Sequence, residues 1–160
     1  MSRQQGKFRL SELEGRLAVI TGAGNFGIGW GLAKYAALNL HMHIVLIDLH
    51  RTAVEQAAAE LRAVDPDLKV LALACDVTSS ANLASALEQI DDAFAGISVG
   101  AVFANAGVIF NNSILKSEIE DWEITLNVNV LGVVKTIKTF VPRLQEQAEK
   151  SLFCATASVG

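Results

Sequence analysis

Val19-Ile20-Thr21-Gly22-Ala23-Gly24-Asn25-Phe26-Gly27-Ile28-Gly29 sets a glycine-rich turn between an apolar run and a segment with helical periodicity. Glycine lets a backbone come close to a diphosphate, and the first amide groups of a helix have no intrahelical partner, so they are free to face an anion. Gly22-Ala23-Gly24-Asn25-Phe26-Gly27 fits the spacing G-x-G-x-x-G. Gly27-Ile28-Gly29 carries glycine on into the helix start, where a side chain would hinder close packing. Asp48 ends the next apolar run, at about the 20-residue interval at which an acid receives the ribose hydroxyls of a dinucleotide. Thr21, Gly22, Gly24, Gly27, Ile28, Gly29 and Asp48 are therefore candidate cofactor-binding residues. A carboxylate at Asp48 favours NAD and repels the 2′-phosphate of NADP. Arg51 could swing toward such a phosphate, although its position also suits the start of the next helix.

Working outward, Leu17 to Thr21 is apolar without alternation, as in a strand covered on both faces. Leu32, Ala33, Ala36, Ala37 and Leu40 recur at helical spacing after it. His43 to Asp48 is a second buried strand, Arg51 to Val64 an alanine-rich helix stopped by Asp65-Pro66, and Val70 to Cys75 a third strand. Asp76-Val77-Thr78-Ser79 offers a turn and an N-cap for a helix through Leu83, Leu87, Ile90 and Phe94. Val99 to Ala104 is a fourth strand running into Asn105-Ala106-Gly107, and Leu152 to Ala157 a fifth. Between them a helix is expected from about Asp121 to Leu144, with Ile124, Val128, Leu131, Val134, Ile137 and Val141 on one face. Val130, Val133 and Phe140 widen that face, which predicts that part of the helix packs on the sheet and part on another subunit or on further chain. Pro142 should bend or end the helix near its last turns. Strand and helix alternate throughout, the pattern of right-handed crossovers in a parallel sheet.

Composition agrees. The chain has 160 residues, 51% hydrophobic and 19% charged, with two prolines, which suits buried strands between helices rather than a disordered chain. A formal net charge of −4 gives no basic face for a phosphate backbone, so no nucleic-acid partner is expected. Met1 to Gly15 holds no apolar stretch of signal-peptide length, and no segment reads as a membrane span, so no membrane partner and a cytoplasmic location are expected. In that setting the sequon Asn111-Asn112-Ser113 has no use. Cys75 and Cys154 each sit in a run that reads as an interior strand, and are expected reduced. His41 and His43 fall short of a metal site, so no metal is expected. Trp30, Trp122 and Phe26 read as packing residues.

Thr21-Gly22 with Gly27-Ile28-Gly29, Asp76-Val77, Asn105-Ala106-Gly107, Asn129 within Asn127-Val128-Asn129-Val130-Leu131-Gly132, and Ser158 within Thr156-Ala157-Ser158-Val159-Gly160 together resemble the short-chain dehydrogenase/reductase family. The match runs from about Gly15 to the end, and one departure is visible. Four residues, Ala23 to Phe26, separate the Thr-Gly pair from Gly-x-Gly, where the family usually has three. The resemblance implies that Asp76 accepts from the adenine amine and Val77 bounds the ring. Asn105, Ala106 and Gly107 would lie beside the cofactor, Asn129 would hold a water in a proton relay, and Ser158 would orient a carbonyl substrate. Asn129 also reads as an amide inside the most apolar helix, which something must satisfy. The family's tyrosine and lysine, in Tyr-x-x-x-Lys, are not among these 160 residues. Tyr35 is the only tyrosine and is expected to pack on the sheet. A cofactor site is thus expected and a complete active site is not.

The expected fold is α/β, a Rossmann-like doubly wound parallel sheet of strand order 3-2-1-4-5. Residues 1–15 form an extension and 16–160 the NAD(P)-binding domain. The expected activity is hydride transfer between nicotinamide and a small-molecule carbonyl or alcohol, with a homo-oligomer as the complete form. Two other readings share the early pattern. One is a non-catalytic nucleotide-binding or dimerisation module; the other is a methyltransferase-like domain, disfavoured by Gly27-Ile28-Gly29 and the Asn-Ala-Gly turn.

Overall fold

The computed structural model describes residues 8–24, 26–110 and 113–157. After a 3-10 turn at Leu10–Leu13, the chain runs β1 (Leu17–Thr21), α1 (Ile28–Leu40), β2 (His43–Asp48), α2 (Arg51–Val64), β3 (Val70–Ala74), α3 (Ser80–Ala93) and β4 (Val99–Ala104). Then α4 (Ile119–Leu126) passes through a π-helical turn (Asn127–Gly132) into α5 (Val133–Glu146), and β5 (Leu152–Ala155) follows. The strands form one sheet in the order β3-β2-β1-β4-β5, every pairing parallel. This is the expected Rossmann-like topology. The winding reverses between β1 and β4, which opens a crevice at the carboxyl ends of the strands.

Strand alternation divides the core into two layers. Ala18 and Ile20 of β1 and Ile44 and Leu46 of β2 face Ala33, Ala36 and Ala37 of α1 and Val54, Ala57, Ala58 and Leu61 of α2. The many alanines let these helices lie close to the sheet. Leu17, Val19, Val45 and Ile47 point the other way, against Leu83, Ala86 and Ile90 of α3 and Phe140 of α5. Leu13, within residues 1–15, is buried in the first layer. Tyr35 departs from expectation: it is 55% exposed, because α1 turns Gly29, Ala33, Ala36 and Ala37 inward and Tyr35 outward. His41 closes α1 as its left-handed C-cap, at φ 50°. Cys75 is buried, and burial, then the neighbouring Asp76 charge, pushes its thiol up to about 11. Cys154, expected inside, is exposed because β5 is an edge strand.

The long helix corrects the sequence reading most. Its buried positions are Gly132, Thr136 and Phe140, with Val128 and Leu144 partly packed on the same cluster. That is an i, i+4 row. Of the stripe read from the sequence, Val128 packs on the core and Val141 is half-buried, while Ile124, Leu131, Val134 and Ile137 are exposed. The helix is apolar on two sides, and periodicity could not tell which one meets the sheet. It continues through Pro142 to Glu146. Ile119–Glu146 is also long and apolar enough to cross a membrane by length and composition, contrary to the sequence reading. Phe140, fully buried in the second layer, makes this helix part of the domain.

Arg16 closes the opposite, amino-terminal edge of the sheet. Its guanidinium donates to Ser98 Oγ (2.8 Å), Val99 O (2.8 Å), Lys150 O (2.7 Å) and Ser151 Oγ (3.2 Å). One side chain so ties the starts of β1, β4 and β5 together. Burial draws its pKa below the usual arginine value, partly offset by Glu149 and Glu12.

Candidate functional site

Because the sheet is parallel, β1, β2 and β4 deliver Thr21, Asp48 and Ala104 to one edge. Thr21 is buried and its hydroxyl is fully used. It donates to Phe103 O (3.4 Å) and accepts from Asn105 N and Ala106 N, both at 3.0 Å. The Asn105 amide answers by donating to Thr21 O (3.1 Å) and Gly22 O (3.2 Å). Its Oδ1 accepts from Thr156 Oγ1 at 2.9 Å. The glycine turn, the Asn-Ala-Gly turn and the end of β5 are thereby one hydrogen-bonded unit.

The glycines fit this crowding for different reasons. Gly22 has φ +66°, and a Cβ on it would lie 2.7 Å from Ala106 Cα. A Cβ on Gly29 would run into Gly22 O and approach Asn105 Nδ2 to 2.7 Å. Gly27 is the opposite case. It caps α1 with no side-chain hydrogen bond, at φ −85°, and a Cβ there would meet nothing within 4 Å. Gly27 immediately precedes the first amides of α1, which have no intrahelical partner, and exposed Ile28 follows it. The residue added in this turn is absorbed by Phe26, which takes the left-handed conformation at φ 50°, at a cost on the order of 1 to 2 kcal/mol for a side chain with Cβ. Its ring meets Trp30 edge-on, centroids 5.4 Å apart. Phe26 and Trp122 are both more exposed than packing residues should be.

Asp48 is set firmly. Oδ2 accepts from Gly24 N at 2.9 Å and Oδ1 from His50 N at 3.1 Å, and a Cβ on Gly24 would press on the carboxylate at 2.9 Å. Each oxygen keeps a lone pair for a further donor. Asp76 lies half-buried past β3, its Oδ1 accepting from Thr78 N (2.8 Å) and Thr78 Oγ1 (2.7 Å), while Ser79 caps α3 by accepting from Asn82 N. Val77 is buried against the helix at Gly132.

Asn129, in the π-helical turn, is exposed rather than buried. Its amide is satisfied all the same. Oδ1 accepts from Val108 N (2.9 Å) and Nδ2 donates to Val108 O (2.8 Å), pinning the segment that leaves Gly107. Ser158 and the sequon residues Asn111 and Asn112 lie outside the described residues. Among the described residues no group of three or more histidine, cysteine, aspartate or glutamate side chains could hold a metal. A shallow hollow of about 390 Å³ lies elsewhere, over Ile114, Ser117, Ile119 and Trp122. Two participants escaped sequence reasoning, Thr156 and Lys135. A hydroxyl two residues before Ser158 and a cation next to a buried helix position were the available signals.

The family model for the short chain dehydrogenase matches residues 16–159. The chain belongs to that family. It is 27% identical over 146 residues to an uncharacterized short-chain type dehydrogenase/reductase of Sinorhizobium fredii, covering 91% of this chain and 56% of that protein. A short chain dehydrogenase/reductase from Burkholderia phymatum, solved in complex with NAD, superimposes with a TM-score of 0.79 at 31% identity, over 92% of this chain and 50% of that one. L-Sorbose reductase from Gluconobacter frateurii, solved with NADPH and L-sorbose, gives 0.79 at 26% identity, over 92% and 54%. This member of the short-chain dehydrogenases thus spans about half the length of the relatives it matches. The two neighbours differ in their nicotinamide cofactor.

Proposed function

We propose that this chain binds NAD at the carboxyl edge of its sheet and forms the cofactor-holding part of an oxidoreductase acting on a small carbonyl or alcohol. The space left by Gly27 over the head of α1 carries the proposal. No crowding and no unusual φ requires glycine there, so the residue leaves room for an anion at the free amides. Gly22, Gly24 and Gly29 bring the turn into register, and Ile28 flanks the diphosphate. Asp48, oriented by two backbone amides, receives the adenosine ribose and disfavours a 2′-phosphate. Asp76 and Val77 take the adenine, and Asn105, Ala106 and Gly107 the nicotinamide-side ribose. When bound, NAD accepts or supplies the hydride. The chain's own residues hold and orient it, with Asn129 fixing the Val108 segment beside it and Ser158 orienting the substrate oxygen. A cytoplasmic homo-oligomer completes the reading.

Calorimetric titration tests this. NAD is expected to bind at least tenfold more tightly than NADP. Gly27→Ala should keep the melting temperature within about 1 °C, since its methyl group enters open space, while weakening NAD at least tenfold. Tighter NADP binding would reverse the cofactor assignment, and unchanged NAD affinity in Gly27→Ala would remove the diphosphate site.

The second reading, nucleotide binding without turnover, is favoured by one observation: Tyr35 is the chain's only tyrosine and lies exposed on α1. NAD binding with no NAD-linked alcohol oxidation by the 160-residue chain would support it, because the proton-transferring acid would be lacking.

A further inference from the structure

Lys135 is half-buried beside the packed positions of α5. Its ammonium donates to Thr78 O at 2.6 Å and to Asn127 Oδ1 at 3.4 Å. Thr78 ends the Asp76-Val77-Thr78 turn, and Asn127 opens the π-helical turn that carries Asn129. One cation therefore bridges the two segments. Packing joins them as well: a Cβ on Gly132 would lie 3.0 Å from Val77 Cγ2, and Thr21, Val77, Ala106, Gly132 and Thr136 surround an interstice too small for a water molecule.

Thr78 is the lever. Its carbonyl is held by Lys135, while its amide and hydroxyl both hold Asp76 Oδ1. Among the described residues no donor reaches Asp76 Oδ2, which leaves that oxygen as the free acceptor of the turn. A charge-assisted hydrogen bond to a carbonyl is stronger than a neutral one, so this contact restrains the turn better than solvent would. We infer that Lys135 is a positioning residue: by fixing Thr78 against the π-helical turn it orients the Asp76 carboxylate toward the exocyclic amine of an adenine base. The inference rests on the NAD reading above.

The test is calorimetric titration of the 160-residue chain with NAD and with nicotinamide hypoxanthine dinucleotide, in which a carbonyl replaces the adenine amine. Wild type is expected to favour NAD about tenfold, the equivalent of one such hydrogen bond. Lys135→Met and Lys135→Gln should each cut that preference below threefold, and Lys135→Arg should keep it above fivefold. Glutamine is polar, helix-compatible and too short to reach Thr78 O, so Lys135→Gln decides the matter if Lys135→Met does not fold. A merely structural lysine would lower the melting temperature and weaken both nucleotides alike. A preserved tenfold ratio in Lys135→Gln would therefore overturn the inference, as would an arginine variant that discriminates no better than glutamine. Wild type binding both nucleotides equally would overturn this inference alone, and wild type binding neither would overturn the NAD reading with it.

Discussion

At Gly29 one methyl group separates a seated helix from a displaced one. The Cβ would collide with Gly22 O and crowd Asn105 Nδ2, so α1 would have to lift from the turn or Asn105 would have to release two carbonyls. Overpacking of this kind costs about 1 to 3 kcal/mol. Gly29→Ala is expected to lower stability by that amount in urea unfolding and to weaken NAD at least tenfold. Gly27→Ala, two residues earlier, should leave stability alone. Sequence reading placed glycine at both positions for one reason. The structure separates them, because one faces its own fold and the other faces open space. Asn129 shows the converse limit. Its need for a partner was legible, but the partner, Val108, lies 21 residues away, and only the course of the chain brings the two together.

Elements are held by contacts that no local pattern announces. Arg16 gathers the amino ends of β1, β4 and β5, reaching Ser151 some 135 residues along the chain. Arg16→Met would keep much of the aliphatic packing and leave Val99 O and Lys150 O without this donor. We expect a loss of about 1 to 3 kcal/mol in equilibrium urea unfolding, since hydrogen bonds from a charged donor contribute about 1.5 to 3 kcal/mol, while Val99 O keeps Gln147 Nε2 and Ser151 Oγ as donors. NAD affinity should change less than twofold, because the clasp lies at the opposite edge of the sheet from the glycine turn. The helix from Ile119 to Glu146 is the other lesson at this scale. Its length and apolar content were readable, whereas its π-helical turn and its buried row of Gly132, Thr136 and Phe140 were not. A segment apolar on two faces matches more than one helical stripe equally well, and the sheet chooses between them.

For the molecule as a whole, the exposed row of Ile124, Leu131, Val134 and Ile137 and the edge strand β5 leave apolar surface and unpaired backbone facing outward. The 160-residue chain is expected to self-associate in sedimentation velocity at micromolar concentration, and Leu131→Glu with Val134→Lys should shift it toward monomer. A monomeric wild type would count against an interface on this helix. The alternation of strands and helices, the parallel sheet and its order, and the clustering of Thr21, Asp48 and Asn105 at one edge were all decided by the amino-acid sequence. Buried parallel strands read as unbroken apolar runs, and the handedness of crossovers leaves few ways to connect them. Tertiary structure alone decided which face of the long helix is buried, where the Asn129 amide finds its partner, that Tyr35 and Cys154 face outward, and that Lys135 meets Thr78. Those outcomes depend on contacts between distant segments, and local periodicity carries no record of distance in space.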